Sequence, residues 1–368
     1  MSDLLLLDSP SLLSKLRTRT AISLITTNNH FGMLSTHILA LAALLGLATS
    51  APTLESRGRK LQYLGINEAG PEFGTALPGL YNKDYIWPDL STIQGKIDSG
   101  FNVFRINIQQ ERLTPGGLTS GFEKYYLANL TQTINAITSK GAYAMIQPHN
   151  YGRFYGQIMT STSDFGTWWR NVAAVYKNND KVIYDTNNEF WGMSGRVVAD
   201  MNQAAINGIR AAGAKQTIHV EGNAWTGAWT WTTAKGTDGL TNAETMGNLT
   251  DTENKLIYQM HQYLDTDGSG TSPNCISATI GSERLVAATN WLRANKKKGF
   301  LGEFAGGVNG QCQAAVKDML NYMVKNSDVW TGAAWWSAGP WWGNYMFSLE
   351  PKDGPAYSTY TPILKAFA

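Results

Sequence analysis

Charged side chains are few in this chain of 368 residues, where Asp, Glu, Lys and Arg together make up 16%. From residue 61 onward, 24 basic residues are balanced by 25 acidic residues, and no basic stripe is interleaved with aromatic residues. Proteins that bind nucleic acid concentrate positive charge on one surface, where it neutralises phosphates. The charge pattern therefore argues against a nucleic acid partner.

The chain also lacks the short motifs that hold the commonest cofactors and metals. No GxGxxG segment follows the first predicted strand, which disfavours a dinucleotide-binding protein. Beyond residue 61 the only histidines are His149, His219 and His261, and no HExxH spacing occurs. A zinc site needs at least three protein ligands, so His149 and His261 would require another. We predict neither a cofactor nor a metal.

Cysteine is nearly absent, with Cys275 and Cys312 as the only two. They would pair in a secreted protein and stay as thiols in the cytosol. The apolar run 36–50 favours secretion because it ends in small residues, as a signal peptide does. It is too short for a convincing membrane span, so no membrane association is predicted.

We therefore expect residues 1–60 to form a leader, with a signal peptide near 33–50 and a short pro-segment. Residues 1–32 precede a second methionine, Met33, and would be a gene-model extension or an unusual n-region. Residues 61–368 are expected to form a single folded domain. Two Asn-Leu-Thr sequons, at Asn129 and Asn248, would suit a secreted glycoprotein.

Aromatic residues, in contrast, are abundant, with 13 Trp and 16 Tyr. Such rings combine a flat apolar face with a polar edge, which suits stacking on sugars or a large interface, although some must belong to the core. Short apolar runs alternate with helical patterns such as 200–213 and 282–296. Eight runs are predicted as strands, namely 61–67, 102–108, 143–148, 182–187, 217–222, 256–263, 299–304 and 330–336.

Eight strands that alternate with helices predict an α/β protein with a single (β/α)₈ TIM barrel, and an open doubly wound sheet is the alternative. In such a barrel, active residues lie at the carboxyl ends of the strands. Glu189 and Glu303 end the fourth and seventh predicted strands. Two carboxyl groups that face each other across a barrel mouth are what glycoside hydrolysis requires. Arg105 and Tyr263 could keep Glu303 ionised.

Other polar residues at the strand ends have simpler explanations. Glu221 is a third acid at a strand end, and Asp185 lies deeper in its strand and would brace the barrel. His219, in the middle of a strand, is predicted to be a core imidazole. Arg105 could equally be a structural ion-pair partner.

From residue 61 to residue 368, the chain resembles fungal endo-β-1,4-glucanases of glycoside hydrolase family 5. The resemblance rests on LGINEAGPEFG (64–74), FRINIQQERL (104–113), IQPHNYGR (146–153), DTNNEF (185–190), VEGNAWTGAWTW (220–231), MHQYLDTDGSGT (260–271), GEFAGG (302–307) and WWSAGPWWGNY (335–345). It implies a secreted, retaining hydrolase that cuts internal β-1,4 bonds of cellulose or mixed-linkage β-glucan.

The resemblance also implies roles for particular residues. Glu189 matches the acid/base and Glu303 the nucleophile, while Trp336 matches the sugar platform beneath the site. Supporting positions are matched by Arg105, His149, Asn188, His261 and Tyr263. Trp225, Trp229, Trp341 and Trp342 are further candidates for the cleft. A Cys275–Cys312 disulfide would tie two loops beside it.

The segment Phe190-Trp191-Gly192 departs from the family, in which a His-Asp pair follows the aromatic residue. Trp191 could narrow a leaving-group subsite or add a stacking surface there, and so favour a sugar acceptor over water. Enzyme alternatives on the same fold are an endo-β-mannanase or a xyloglucan-active relative. A non-catalytic carbohydrate-binding protein is the alternative from another class, although both carboxylates are present. We expect a monomer.

Overall fold

Residues 60–368 are described by a computed structural model of the protein, so the predicted leader lies outside the described residues except for Lys60. Eight parallel strands close into a barrel in the order β1-β10-β9-β8-β7-β6-β3-β2. A short antiparallel hairpin, β4–β5, follows β3. The strands are β1 Tyr63–Glu68, β2 Val103–Ile108, β3 Tyr143–Pro148, β4 Arg153–Phe154, β5 Gln157–Ile158, β6 Val182–Asp185, β7 Ile218–Glu221, β8 Leu256–His261, β9 Gly299–Phe304 and β10 Trp330–Ala338.

Helices surround the barrel and connect its strands. They are α1 Ile93–Asp98, α2 Gln110–Leu113, α3 Lys124–Thr138, α4 Thr162–Tyr176, α5 Gly195–Ala211, α6 Asn242–Thr245, α7 Ile280–Ala294, α8 Gly310–Lys325 and α9 Tyr357–Lys365. Within residues 60–368 no helix is long and apolar enough to cross a membrane. The predicted (β/α)₈ barrel is confirmed, and closure by β1 against both β2 and β10 excludes the open sheet.

All eight predicted strands form, but the two predicted helices begin earlier than the sequence pattern indicated. Helix α5 begins at Gly195 and α7 at Ile280, where 200 and 282 were expected. Helix α5 starts early because Ser194 caps it, its hydroxyl oxygen accepting a bond from the Val197 N–H at 3.3 Å. The capping residue is polar, so the apolar periodicity does not mark this start.

The barrel interior changes from apolar to polar along the strand direction. One interior layer is apolar, formed by Val103, Met145, Ile183, Ile257, Phe300 and Ala334. Alternate residues of a strand face the same side, so the residue two positions after Val103 is Arg105, and the residue two after Ile183 is Asp185. Both are fully buried. The strand period therefore carries charged side chains into the interior just below the carboxyl ends.

A disulfide joins Cys275 to Cys312, with a Cα–Cα distance of 5.2 Å. The bridge was expected to tie two loops, and Cys275 does lie in a loop. Cys312 does not, because it lies in the first turn of α8. Asn309 caps this helix, its side-chain oxygen accepting the Cys312 N–H bond at 2.9 Å. The bridge thus fastens the loop after β8 to a helix end. Both sequons lie on helical segments, Asn129 within α3 and Asn248 at the end of a 3₁₀ turn.

Candidate active site

Arg105, on β2, is the centre of a buried polar network below the barrel mouth. Its guanidinium has no exposed surface and donates five hydrogen bonds of 2.8 Å. A planar fork with five donors suits such a network better than a lysine does. The acceptors are Asp185, Asn67, Glu303, Asn188 and Glu221, which come from the ends of strands β1, β6, β7 and β9 or from the residues just after them. One side chain therefore fixes the relative positions of several strand ends.

Glu303, at the end of β9, receives donors on both carboxylate oxygens. Arg105 donates to Oε1 at 2.8 Å, and the Tyr263 hydroxyl donates to Oε2 at 2.7 Å. Burial raises the pKa of Glu303, whereas the Arg105 charge and the Tyr263 hydrogen bond oppose that rise. The two donors act on the ionised form, as the sequence suggested. They favour a carboxylate that is negatively charged in the resting protein.

Glu189, just beyond β6, has a different environment. Its Oε1 lies 2.7 Å from His261 Nδ1, and within residues 60–368 no Lys or Arg side chain forms a salt bridge with its carboxyl group. Burial raises its pKa well above the usual value, the neighbouring charge of Glu303 raises it further, and Arg105 lowers it. Burial also holds the pKa of His261 well below its usual value, so this imidazole is neutral. Glu189 is thus suited to carry a proton.

The two carboxyl groups face each other across the barrel mouth. One oxygen of Glu189 and one of Glu303 lie within 4.8 Å, and His261 Nδ1 lies within the same distance of both. In the described part of the chain, this is the one cluster whose spacing would suit a metal ion. The guanidinium of Arg105 bonds to Glu303 and already supplies positive charge there. The arrangement is explained by an acid paired with an ionised carboxylate.

His149 and Trp336 lie beside this pair. Their rings stack, with centroids 5.3 Å apart and an angle of 17° between planes. The Tyr151 hydroxyl lies 2.9 Å from His149 Nε2, and Asn188 Nδ2 lies 3.5 Å from the same nitrogen. Burial, followed by the charge of Arg105, keeps the pKa of His149 well below its usual value. A neutral imidazole therefore supports the tryptophan face.

A cavity of about 570 Å³ opens on the side of Glu189. Its walls include both Trp225 and Trp229 but neither Glu303 nor Trp336. Arg284 backs Trp229, with its guanidinium carbon 4.3 Å from the ring centroid. Of the tryptophans predicted for the cleft, Trp225 and Trp229 therefore line this cavity and Trp336 does not.

The other predicted tryptophans have distinct surroundings. Trp342 stacks on Tyr345 at 4.3 Å and meets Trp336 edge-on at 6.0 Å, so it supports the platform. Trp341 is half exposed. Trp191 does not line the cavity, and its ring stacks on that of Trp225.

The remaining strand-end acids and the mid-strand histidine lie in the buried interior. Asp185 and Glu221 are fully buried and bonded to Arg105, and His219 is buried with Nδ1 2.9 Å from Gln259 Oε1. Glu221 does more than the sequence suggested, because its second oxygen accepts the backbone N–H of Glu189 at 2.8 Å. It therefore holds the backbone of Glu189, whose φ of +48° lies in the left-handed region.

Three contributors to the site were missed in the sequence. Asn67 and Gln259 bond to Arg105 and to Asp185 respectively, and Tyr151 lines the cavity. The strand period offered a signal for Gln259, since it lies two residues before His261 on β8. No sequence pattern indicated Tyr151, because its position depends on a loop conformation with φ of +56°.

The protein has a closed parallel barrel, two glutamates that face each other at its mouth, and a cavity with aromatic walls. Together these features define the class of a glycoside hydrolase. A family model agrees, since residues 63–339 match the one described as Cellulase (glycosyl hydrolase family 5). The chain belongs to this family.

Relatives and solved structures are similar over most of the chain. An endo-beta-1,4-glucanase B of Aspergillus niger is 54% identical over 332 residues, which is 89% of this chain and 98% of the relative. An endo-beta-1,4-glucanase A of Emericella nidulans is 53% identical over 307 residues, covering 83% and 92%. A crystal structure of an endo-beta-1,4-glucanase from Xanthomonas axonopodis pv. citri has 37% identity and a TM-score of 0.79, covering 83% and 99%.

Proposed function

We propose that this protein is a secreted endo-β-1,4-glucanase that hydrolyses internal bonds of cellulose or mixed-linkage β-glucan with retention of configuration. The observation that carries the proposal is the separation of the Glu189 and Glu303 oxygens, which is at most 4.8 Å. Retaining glycosidases hold their carboxyl groups about 5–5.5 Å apart, whereas inverting ones leave about 6.5–9.5 Å for a water. The short distance between these oxygens therefore favours the retaining class.

In the first step, Glu303 attacks the anomeric carbon and forms a glycosyl ester, while Glu189 gives its proton to the leaving oxygen. In the second step, Glu189 takes a proton from water, the water oxygen bonds to the anomeric carbon, and the ester bond to Glu303 breaks. Tyr263 and Arg105 keep Glu303 charged before attack, because both donate to its oxygens. Asn188 is positioned by Arg105 to meet a sugar hydroxyl, and Trp336 offers its face to the ring.

Several observations support a polymer as the substrate. Aromatic surfaces lie near the carboxyl pair, because Trp336 stacks on His149 and because Trp225 and Trp229 wall the cavity that Glu189 lines. More than one sugar ring can therefore stack, as binding of a polymer requires. The relatives' names report action on β-1,4-glucan. The disulfide and the predicted signal peptide support secretion.

The test pairs a viscosity assay with chemical rescue. The secreted protein is compared with Glu303→Ala and Glu189→Ala on barley β-glucan, carboxymethylcellulose, mannan and xyloglucan. We expect a rapid loss of viscosity on the first two substrates, reduced about 10³-fold or more in each variant. Preferential cleavage of mannan or of xyloglucan would instead identify the protein as an endo-β-mannanase or a xyloglucan-active relative.

Azide then separates the two roles on an aryl β-cellobioside. With Glu189→Ala, the ester on Glu303 still forms, so azide should give the β-glycosyl azide. With Glu303→Ala, azide should replace the missing nucleophile and give the α-glycosyl azide. Exchange of these products would reverse the assignment, and binding without any cleavage by the unchanged protein would support the carbohydrate-binding alternative.

A further inference from the structure

Three side chains from separate segments of the chain stack at the edge of the cavity beside Glu189. The Trp191 and Trp225 rings lie 5.5 Å apart between centroids and are inclined by only 7°. The guanidinium carbon of Arg153 lies 3.9 Å from the Trp191 centroid. Arg153 thus contacts Trp191, Trp191 contacts Trp225, and Trp225 lines the cavity. We refer to Arg153, Trp191 and Trp225 as the indole stack.

The cavity belongs to the leaving group and to any incoming acceptor. Glu189, the proposed acid/base, lies in its wall. In the proposed mechanism Glu189 gives its proton to the leaving sugar and later takes one from the attacking hydroxyl, so both must bind on its side. Trp225 forms part of that wall and is 53% exposed, which leaves its outer surface free for a sugar ring.

Trp225 needs external support because its backbone is strained. Ala224, Trp225 and Thr226 have φ values of +51°, +55° and +48°. Left-handed backbone costs a non-glycine residue about 1–2 kcal/mol, so neighbouring contacts must hold all three. The Thr226 hydroxyl donates to the Gln259 carbonyl at 2.7 Å, and the Trp225 N–H donates to the Phe190 carbonyl at 3.1 Å. These contacts fix the backbone but leave the angle of the indole undetermined.

Trp191 supplies the fixed surface against which that indole lies. Its neighbour Phe190 is fully buried, so the base of the Trp191 loop is held in the core. Arg153 covers the Trp191 ring and donates to the Tyr151 and Trp191 carbonyls at 2.6 and 3.1 Å. The guanidinium is thus anchored to both loops that flank Glu189. A planar cation on an indole is a favourable pairing, which a lysine does not reproduce.

We propose that Arg153 and Trp191 are positioning residues that set Trp225 as an acceptor platform, and so determine how the glycosyl ester is divided between water and sugar. This inference rests on the proposed function. In transfer, a sugar hydroxyl bonds to the anomeric carbon, the ester bond to Glu303 breaks, and the hydroxyl proton passes to Glu189. Atoms and charge balance as in hydrolysis. A platform ordered before binding favours this route because less entropy is lost when the acceptor is held.

The test measures transfer and hydrolysis together on cellotetraose. Products longer than the substrate report transfer, and total cleavage reports hydrolysis. In Trp191→Ala we expect the ratio of transfer to hydrolysis to fall about 2- to 12-fold, the range for one lost aromatic contact. The KM for cellotetraose should rise within the same range, whereas kcat should change by less than about twofold because the carboxyl groups are untouched.

Further variants separate positioning from general damage. Trp191→Phe keeps a flat ring and should recover most of the ratio, whereas Arg153→Lys keeps the charge without the planar face and should lower it. Trp225→Ala removes a half-exposed side chain, so it should fold even if Trp191→Ala does not, and it should lower the ratio equally. Tyr125→Ala removes an exposed ring on α3 and is the matched control.

The outcomes distinguish this inference from the function on which it rests. Cleavage by the unchanged protein without products longer than cellotetraose would overturn the platform. An unchanged ratio in both Trp191→Ala and Trp225→Ala, or a fall in kcat alone, would also overturn it. Absence of any cleavage by the unchanged protein would instead refute the proposed function itself.

Discussion

At the scale of single residues, the two glutamates of the site differ in ionisation because different groups contact their carboxyl groups. Glu303 is bonded by a guanidinium and a phenol, whereas Glu189 meets a neutral imidazole. Activity requires Glu303 ionised and Glu189 protonated. It is therefore lost as the pH falls through the pKa of Glu303 and as it rises through that of Glu189, which gives a bell-shaped profile.

The variant Tyr263→Phe should move only one side of that profile. The hydrogen bond from Tyr263 lowers the pKa of Glu303, so its loss raises that pKa and shifts the acid limb of kcat/KM to higher pH. On the acid side, kcat/KM should fall about 10-fold or more, as for a bond to a charged group. The basic limb, set by Glu189, should remain in place.

Tyr176→Phe is the matched control for this change. It removes a buried hydroxyl that contacts Thr131 at 2.9 Å, on the helices outside the barrel. Its pH profile should match that of the unchanged protein. If the acid limb stayed fixed in Tyr263→Phe as well, Tyr263 would not be tuning Glu303.

At the scale of elements, helices α4 and α5 approach closely through glycine. A Cβ placed on Gly208 would lie 2.0 Å from the Gly166 carbonyl oxygen. Gly208→Ala should therefore lower the free energy of unfolding by about 1–3 kcal/mol, the usual cost of overpacking. Chemical denaturation measures the change.

The same substitution at Gly95 should change the free energy of unfolding in the opposite direction. Gly95 lies in α1, and in the described part of the chain no atom of a neighbouring residue would lie within 4 Å of its added Cβ. Alanine favours helices over glycine, so stability should rise by up to about 1 kcal/mol. Equal effects at Gly208 and Gly95 would contradict the packing explanation.

The disulfide links two further elements, the loop after β8 and helix α8. It closes a loop with a sequence separation of 37, for which the chain-entropy model gives up to about 4 kcal/mol. Cys275→Ala combined with Cys312→Ala should therefore lower the unfolding free energy by about 2–4 kcal/mol. A reductant should destabilise the unchanged protein but not the double variant. Identical unfolding curves in all cases would refute this contribution.

At the scale of the whole molecule, stability should depend on pH through buried acids. Burial raises the pKa of Glu68 to about 7 and that of Glu72 to about 8. Between pH 4.5 and 8 these two carboxyl groups therefore hold more protons in the folded protein than in the unfolded chain, and their contribution to stability falls as the pH rises. The contribution is complete below pH 4.5 and is lost through the folded pKa values.

Melting temperatures between pH 4.5 and 8.5 test this expectation. The variant Glu72→Gln keeps an acceptor for the Gly70 N–H and removes the titrating group. As the pH rises through about 8, the melting temperature of the unchanged protein should therefore fall relative to that of Glu72→Gln. Glu253→Gln, which replaces a half-buried carboxyl group before β8, is the matched control. The same pH dependence in the unchanged protein and in Glu72→Gln would contradict the argument.

The sequence by itself determined the barrel and the residues at its mouth. Eight runs with helices between them favour parallel strands, whose carboxyl ends meet at one face, so Glu189, Glu303, Arg105 and His261 could be placed together without coordinates. The position of Asp185 deeper in its strand also indicated a bracing role. These features depend on local patterns and on one general property of the fold.

Only the tertiary structure decided which groups touch. The contacts of Arg105 other than that to Glu303, the bond from Glu189 to Glu221 and the stack of Trp191 on Trp225 all join residues far apart in the chain. Their geometry depends on strand register and on loop conformations such as the positive φ of Trp225. Many non-local contacts set these angles together, so no short segment encodes them.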